Sequence, residues 1–338
     1  MKIVIQRIAN DDEFVGVYDL FEEEKSIKEL KWLYSDPNDN ELYNAFVAKN
    51  EMNEIIGVIG YQASTFIKGK KELIGVTGFT WKVAPNIKGM HGVLLLKKIF
   101  DHGSFVYSMG GTQDSLKFYK LFNFKKINTY TKYFKILNLS EYSESLKKDS
   151  LKRRIGFLGL LWPSLIKNRS KRMLNKDLVF ENYENNFISA QDDDKIFRKK
   201  ITKNYIEWLL KCPFLNSYAF VIKKNDLHLG ICVLYIHNVY GINIGRIVHL
   251  PFLGYDTKNW VSAIDKCLTF FKMKKCAAVS GIASHKMNHQ GFKKTGFIGN
   301  RLTSKPIFLK DVDQRLKMSQ IDSWFIQYSE GDMPYLGF

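Results

Sequence analysis

Cysteine is scarce in this chain, and its placement excludes the common cysteine-based architectures. The four cysteines among 338 residues all lie in the second half, and no two have the C-x-x-C spacing of zinc and redox motifs. We therefore predict buried, reduced thiols in a cytoplasmic protein, without a disulfide framework. These cysteines are Cys212, Cys232, Cys267 and Cys276.

Long apolar runs are also missing. No apolar run approaches the roughly 18–20 residues that a membrane span requires. The opening sequence MKIVIQRIANDDEF lacks the apolar core of a signal peptide and is typical of a first strand. No metal site is predicted from the seven histidines.

Positive charge, in contrast, is abundant. Lys and Arg number 51 against 34 Asp and Glu, which gives a formal net charge of +17. A nucleic acid, an anionic membrane surface or polyanionic small molecules would suit this charge. The lysines are scattered, with no arginine-rich arm, zinc-finger spacing or helix-turn-helix signature, which argues against nucleic acid. A lysine-rich solvated surface explains part of the excess.

Residues 73–127 have the pattern of a strand, a glycine-bearing turn, a helix, a strand and a short helix. Leu73–Val83 is rich in β-branched and aromatic residues, as a buried strand should be. Pro85 and Asn86 end it, and the turn 87–92 leads into the apolar helix Val93–Phe100. Such a turn aims backbone N–H groups and the positive end of the helix dipole at one point, where a pyrophosphate can bind. A strand over Ser104–Gly110 and a helix over Ser115–Phe122 follow.

These residues resemble the GNAT superfamily of acyl-CoA-dependent N-acyltransferases. In that family a (Gln/Arg)-x-x-Gly-x-(Gly/Ala) turn holds the CoA pyrophosphate, and a later Asn-x-x-Ala-x-x-(Phe/Leu)-Tyr-x-x-x-Gly-Phe segment supplies a tyrosine near the leaving thiolate. In the second segment, residues 112–124, Phe118, Tyr119 and Phe124 match, whereas Thr112, Ser115 and Asn123 depart from the family pattern.

The first motif departs more. Counted from Pro85, Lys88 fills the Arg/Gln place, but His91 and Val93 stand where small residues belong. Counted back from the helix, Gly92 fits the last place. The two counts give different registers for the phosphate turn, and the sequence does not decide between them.

The resemblance implies a cofactor-binding set and a catalytic tyrosine. Tyr119 would return a proton to the CoA thiolate as a general acid, and backbone N–H groups of the strand 78–83 would stabilise the tetrahedral oxyanion. The residues implied to hold acyl-CoA are Trp81, Lys82, Val83, Ile87, Lys88, Gly89, Met90, His91, Gly92, Val93 and Tyr119.

The chain also repeats itself at a separation of about 173–176 residues. Seven matches occur in the same order; three of them are Leu30–Pro37 with Ile206–Pro213, Ala45–Val47 with Ala219–Val221, and Ile56–Ile59 with Leu229–Cys232. We therefore predict two tandem α/β GNAT-like domains, each with a mostly antiparallel mixed sheet and helices on both faces. The predicted boundaries are 1–138 and 176–338, with a linker over 139–175.

The two copies differ where function is expected. The second has no glycine turn before its helix at Trp260–Phe271, and Phe292 replaces Tyr119. The first copy is therefore predicted to bind acyl-CoA, and the second to be structural or to help bind the acceptor. Between them, residues 151–172 place an apolar dozen between basic clusters; this segment either lies in a membrane interface, with Trp162 as an anchor, or packs across both domains.

The base that removes the amine proton is not identified by any pattern. Glu72 and His249 are candidates, along with Asp114, Glu330 and Asp332, and each can equally be a structural group. An amine acceptor can also lose its proton to water.

Proteins of this layout resemble N-acyltransferases of bacterial surface-polysaccharide pathways. The implied reaction moves an acyl group, acetyl or a hydroxyacyl such as 3-hydroxybutanoyl, from acyl-CoA to an amino-deoxy sugar carried on dTDP or UDP. Both substrates are polyanions, which suits the net charge. The alternatives left open are an aminoacyl-tRNA-dependent enzyme, an enzyme with a lipid-linked acceptor at the inner membrane face, and a non-catalytic module that retains the fold.

Overall fold

The computed structural model describes residues 3–21, 25–85, 87, 90–147, 174, 177–184, 187, 193–239, 241–299, 304–314, 316 and 324–330. The interdomain segment 151–172, and Lys88 and Gly89 of the predicted phosphate turn, lie outside these residues.

The first half begins with a strand and two helices that precede a long antiparallel hairpin. Its elements are β1 (Val4–Arg7), α1 (Glu13–Leu20), α2 (Ile27–Tyr34), β2 (Ser35–Asp36), β3 (Asp39–Tyr43), β4 (Ala45–Lys49), β5 (Ile55–Lys68), β6 (Lys71–Val83), α3 (His91–Lys98), β7 (Phe105–Met109), α4 (Gln113–Leu121), β8 (Lys125–Ile136) and α5 (Leu139–Lys147). The predicted order of strand, helix, strand and helix over 73–122 is confirmed. A 3-10 turn, Ile99–His102, follows α3 and ends two residues beyond the predicted helix end at Phe100.

The second half repeats this order. Its elements are β9 (Leu178–Asn182), β10 (Phe197–Lys199), α6 (Lys203–Leu210), β11 (Asn216–Lys224), β12 (Leu227–Val239), β13 (Ile242–His249), α7 (Thr257–Met273), β14 (Cys276–Ala283), α8 (Lys286–Lys294), β15 (Ser304–Asp311) and β16 (Trp324–Phe325), followed by a 3-10 turn, Tyr328–Glu330.

Local chemistry explains where several helices begin. Ser26 and Glu29 form a reciprocal capping box at the start of α2. The Thr112 hydroxyl accepts a hydrogen bond from the Ser115 N–H, so α4 begins two residues earlier than predicted. In α3, Val93, Leu95 and Leu96 are buried, and its last turn carries lysines that suit the negative end of the helix dipole.

The two halves share one continuous sheet of 14 strands. Along its main path the order is β1-β4-β5-β6-β7-β15-β8-β14-β13-β12-β11-β9. Strand β15 belongs to the second half by sequence but lies between β7 and β8 of the first. The end of β8 in turn pairs with β14, from Thr131↔Ala283 to Ile136↔Ala278. Each half therefore completes the sheet of the other.

A reciprocal contact between α2 and α6 reflects the internal repeat. The indoles of Trp32 and Trp208, which the repeat aligns, stack with ring centroids 4.6 Å apart and planes 9° apart. Trp32 Nε1 donates to the Trp208 carbonyl at 3.0 Å, and Trp208 Nε1 donates to the Trp32 carbonyl at 3.1 Å. The same residue in each half thus makes the same bond to the other, as a local two-fold axis requires.

The largest buried clusters lie on both faces of the sheet. One cluster contains residues of both halves, among them Phe66, Tyr107, Trp208 and Trp324, and the other three lie mainly within one half. All four cysteines are buried, as predicted, and none is in a disulfide. Within the described residues, no helix combines the length and apolar character needed to cross a membrane.

Candidate active site

Strands β6 and β7 part near their carboxyl ends. They pair in parallel from Gly75↔Phe105 to Thr77↔Tyr107 and no further. Beyond that point β6 stays with β5, as far as Gly57↔Val83, whereas β7 stays with β15, as far as Ile307↔Met109. An opening, called here the first cleft, therefore lies between residues 78–83 and the end of β7.

A β-bulge lies on β6 at the first cleft. Gly60 pairs with Phe79 and Val58 with Lys82, so Thr80 and Trp81 together oppose a single residue of β5. Thr80 has a φ of 45°, in the left-handed region, which is uncommon for a β-branched residue. Its hydroxyl donates to the buried Tyr34 hydroxyl at 2.9 Å, which holds the unusual backbone. A bulge leaves backbone groups without ladder partners, here at the edge of the cleft.

Helix α3 begins at the end of the cleft without a side-chain cap. Met90 precedes the helix, is 60% exposed and makes no capping bond. The first-turn N–H groups, including those of His91 and Gly92, have no partner within the helix. This arrangement favours an anion at the N-terminus of α3.

Trp81 lies between α3 and α4. A Cβ atom on Gly92 would come within 3.3 Å of the indole, so glycine lets the ring pack closely against the helix. The ring also contacts Phe118, with centroids 5.1 Å apart. Trp81 Nε1 and His91 Nδ1 are buried atoms without a hydrogen-bond partner among the described residues. Both could bind a polar ligand group beside the start of α3.

The remaining residues of the predicted cofactor set divide between the two faces of β6. Val83 is on the α3 side of β6, near Gly92. Ile87 packs against the apolar cluster on this side, and Val93 of α3 is buried. Lys82 is on the opposite side, with its ammonium 5.1 Å from the centre of the Phe21 ring. The structure therefore brings Trp81, Val83, Ile87, Gly92 and Val93 together, and directs the Lys82 side chain elsewhere.

Tyr119 lies on the other side of the first cleft. Its hydroxyl and the Ser108 hydroxyl, at the end of β7, are 2.7 Å apart in a hydrogen bond. Its ring packs on Phe124 and on Phe308 of β15, at centroid distances of 5.0 and 5.3 Å. The second half of the chain thus helps to position this tyrosine. Ser108 is not part of the sequence motif, and alternation along β7 is the only local signal for the face on which it lies.

The two candidate bases lie away from the first cleft. Glu72 is at the start of β6, nine residues or roughly 30 Å of extended strand from Trp81, and pairs with Lys200 at 2.8 Å on the surface. His249 ends β13 in the second half, where its Nδ1 lies 3.2 Å from the Ser329 hydroxyl. Burial, with the nearby charges of Lys199 and Arg198, lowers the pKa of His249 to about 3.

The second half has the equivalent opening, but its own chain fills it. Strands β13 and β14 pair as far as Arg246↔Ser280 and then part. The Ile326 N–H donates to the Ser284 hydroxyl at 2.7 Å, just beyond β14, while Ser329 reaches His249 on β13. Trp324, Ile326 and Tyr328 face the cluster shared by both halves, whereas Phe325 faces the opposite one. Residues 324–329 therefore occupy the layer of the sheet between the parted strands.

No group of His, Cys, Asp and Glu side chains in the described parts of the chain has the arrangement of a metal site. The bulge at Thr80 and the filling of the second opening were not predicted from the sequence. No local signal marks either, because Thr80 is not a glycine and residues 324–329 contact strands far away in sequence.

Comparison with known proteins gives the class of fold. Neither the family models nor the curated proteins include a match to this sequence. Solved structures of N-acyltransferases do match, over most of the chain. The chain therefore has the GNAT fold, as the sequence predicted.

Three of these structures illustrate the likeness. A GCN5-related N-acetyltransferase from Anabaena variabilis is 10% identical, with a TM-score of 0.58, over 92% of this chain and 73% of that one. Saccharomyces cerevisiae N-myristoyltransferase, solved with bound myristoyl-CoA and inhibitors, is 12% identical, with a TM-score of 0.57, over 91% and 80%. A GCN5-related N-acetyltransferase from Kribbella flavida is 10% identical, with a TM-score of 0.51, over 92% and 72%.

Proposed function

We propose that this protein is an acyl-CoA-dependent N-acyltransferase that binds acyl-CoA in the first cleft. The observation that carries the proposal is the difference between the two openings. The first has a bulged strand on one side and the uncapped N-terminus of α3 at its end. The second is filled by residues 324–329. This difference supports an extended ligand in the first cleft, because the protein's own residues 324–329 occupy the equivalent space in the second half.

The proposed binding mode assigns each part of acyl-CoA to a different group. The pyrophosphate lies at the N-terminus of α3, where the helix dipole and the N–H groups of its first turn stabilise negative charge. Trp81 Nε1 and His91 Nδ1 add polar contacts beside it. The pantetheine arm runs along residues 78–83, so the thioester reaches the bulge at Thr80 and Trp81. The turn containing Lys88 and Gly89 completes the phosphate site in this proposal.

The proposed chemistry is direct attack of an amine on the thioester. The amine nitrogen bonds to the carbonyl carbon, and a backbone N–H at the bulge stabilises the oxyanion. When the carbon–sulfur bond breaks, the thiolate takes a proton from the Tyr119 hydroxyl, which Ser108 holds by a hydrogen bond. The attacking nitrogen loses its proton to solvent, because Glu72 and His249 both lie outside this cleft, and solvent returns a proton to the Tyr119 phenolate.

We further propose that the acceptor is the amine of a nucleotide-linked amino-deoxy sugar. The net charge of +17 supports a pair of polyanionic substrates, since a positive surface attracts both. We also propose domain boundaries at residues 138 and 176. In this proposal the first half binds acyl-CoA, and the second half is structural or helps to bind the acceptor.

The test is release of free CoA from acetyl-CoA and from 3-hydroxybutanoyl-CoA in the presence of dTDP- and UDP-linked amino sugars. We expect release that depends on the sugar and a product that is heavier by the acyl group in a mass spectrum. If acyl-CoA binds but no nucleotide-linked amine is acylated, the acceptor is wrong and the enzyme class survives. If acyl-CoA does not bind at all, the whole proposal is wrong.

A further inference from the structure

A second cavity lies in the other half of the molecule, between α8 and the end of β8. Its volume is about 640 Å³, and the helix contributes Lys286, His289, Gln290 and Lys293 to its wall. These positions follow one another at intervals of three, one and three residues, so they form a single face of α8. We propose that this cavity is a binding site for a phosphate or diphosphate group, separate from the acyl-CoA cleft.

The shape of the cavity comes from the exchange of strands between the halves. Thr131 is the point at which β8 changes partners, since it pairs with Ser304 of β15 and with Ala283 of β14. The Thr131 and Ser304 hydroxyls form a 2.8 Å hydrogen bond at this fork. A Cβ atom on Gly299 would lie 2.7 Å from the Tyr133 ring, so glycine lets the backbone pass directly over it. The cavity is thus a consequence of the overall topology.

A hydrogen bond between Tyr133 and His289 fixes the centre of the wall. The phenol oxygen lies 3.0 Å from Nδ1 of the imidazole. Burial, with Lys293 and His285 nearby, lowers the pKa of His289 to about 4, so the ring is neutral at pH 7. Burial also raises the pKa of Tyr133, which keeps the phenol protonated. A neutral imidazole that accepts a hydrogen bond from the phenol at Nδ1 carries its own proton on Nε2, where it can donate to a ligand.

The charges around this donor select the ligand. Lys286 and Lys293 are two turns apart on the helix, roughly 10 Å along its axis, which is a span that two linked phosphates can bridge. Among the described residues, no carboxylate lines the cavity and neither lysine forms an ion pair. The Gln290 side-chain oxygen accepts from the Thr257 hydroxyl at 2.8 Å, which leaves its NH2 group as the donor end. Ammonium, imidazole and amide donors without a carboxylate favour a phosphate.

The test uses the full chain labelled with 15N-histidine and titrated with sodium pyrophosphate. We expect the side-chain resonance of His289, assigned with His289→Gln, to shift and to saturate. This resonance reports on the cavity and not on α3, so pyrophosphate at the start of α3 does not imitate the result. A His289 resonance that stays unchanged at saturating pyrophosphate would overturn the proposal.

Paired charge variants provide the control. Lys286→Gln with Lys293→Gln should weaken pyrophosphate binding by about tenfold or more, as measured by calorimetry and the His289 shift. Lys266→Gln with Lys294→Gln removes the same charge from exposed positions on α7 and α8 outside the cavity, and should change the affinity by less than about twofold. Equal losses in both pairs would show general charge attraction and also contradict the proposal.

A parallel titration with UDP identifies the source of the phosphates. Binding about tenfold tighter than that of pyrophosphate indicates a nucleotide, whose base or ribose adds contacts. Equal or weaker binding indicates a site for the diphosphate alone. CoA binding to the first cleft should be unchanged in the Lys286 and Lys293 variant, so this site can fail without the proposed function failing.

Discussion

At the scale of single residues, Gly92 and Tyr119 show what a sequence motif predicts and what only the structure adds. Gly92 was predicted from a phosphate-binding turn, and the structure adds that the Trp81 ring packs directly against it. Tyr119 was predicted from a motif, and its neighbours Ser108 and Phe308 explain how the hydroxyl is positioned. A motif can identify such a residue, but it cannot predict a packing partner such as Phe308, which lies on a strand far away in the sequence.

Replacing Tyr119 with phenylalanine removes the proposed acid and leaves the ring packing in place. We expect turnover to fall by about tenfold to a hundredfold, less than many general acids contribute because a thiolate is already a good leaving group. CoA affinity should stay within about twofold of wild type, since the hydroxyl is bonded to Ser108 in the free protein. The control is Tyr255→Phe, which removes an exposed hydroxyl in the other half. Steady-state kinetics with equal turnover in both variants would remove Tyr119 from the acid role.

At the scale of strands and helices, local patterns predicted the elements well and their partners poorly. The strand β6 and the helices α3 and α4 follow from β-branched runs, helical spacing and the Thr112 cap. The bulge at Thr80 and the segment 324–329 between β13 and β14 depend on contacts with residues far away in the chain. The spacing of apolar residues along one strand or helix does not indicate which distant residues it will contact.

The buried hydrogen bond between His249 and Ser329 makes the packing of residues 324–329 sensitive to acid. Because the pKa of His249 is about 3 in the fold, against an ordinary 6.5, the unfolded chain binds more protons between these values. Stability is therefore present above about pH 6.5 and is lost as the pH falls toward 3, by about 2 kcal/mol between pH 7 and 5. Urea unfolding should show this loss in wild type and a smaller loss in His249→Gln. Parallel stability profiles for the two proteins would show that His249 does not contribute.

At the scale of the whole molecule, the exchange of strands joins the two halves. The repeat in the sequence predicts two similar units, and the reciprocal Trp32 and Trp208 contact agrees with it. The sequence did not predict that β15 would lie between β7 and β8, because each copy contains a full set of elements by itself. Strand β15 of the second half pairs with β7 and β8 of the first, and β8 pairs with β14 of the second.

We therefore expect the halves to unfold together. Ile264→Ala empties a fully buried position on α7 in the second half and should cost about 2–5 kcal/mol. In a single cooperative unit, the amides of β5 in the first half lose the same protection from hydrogen exchange as those of β13. Hydrogen exchange measured by mass spectrometry checks this. If β5 keeps its wild-type protection while β13 loses it, the halves are independent.

Calorimetric titration with CoA tests the central claim, that the first cleft binds CoA with its pyrophosphate at the start of α3. Met90→Asp places a carboxylate at this exposed helix start, where it stabilises the helix by about 0.3–1 kcal/mol but repels a phosphate. Met273→Asp makes the same charge change at an exposed residue in the second half. We predict saturable binding to wild type and to Met273→Asp, and an affinity at least about tenfold weaker in Met90→Asp, which remains folded. No binding to wild type, or equal affinity in the two variants, would contradict the account.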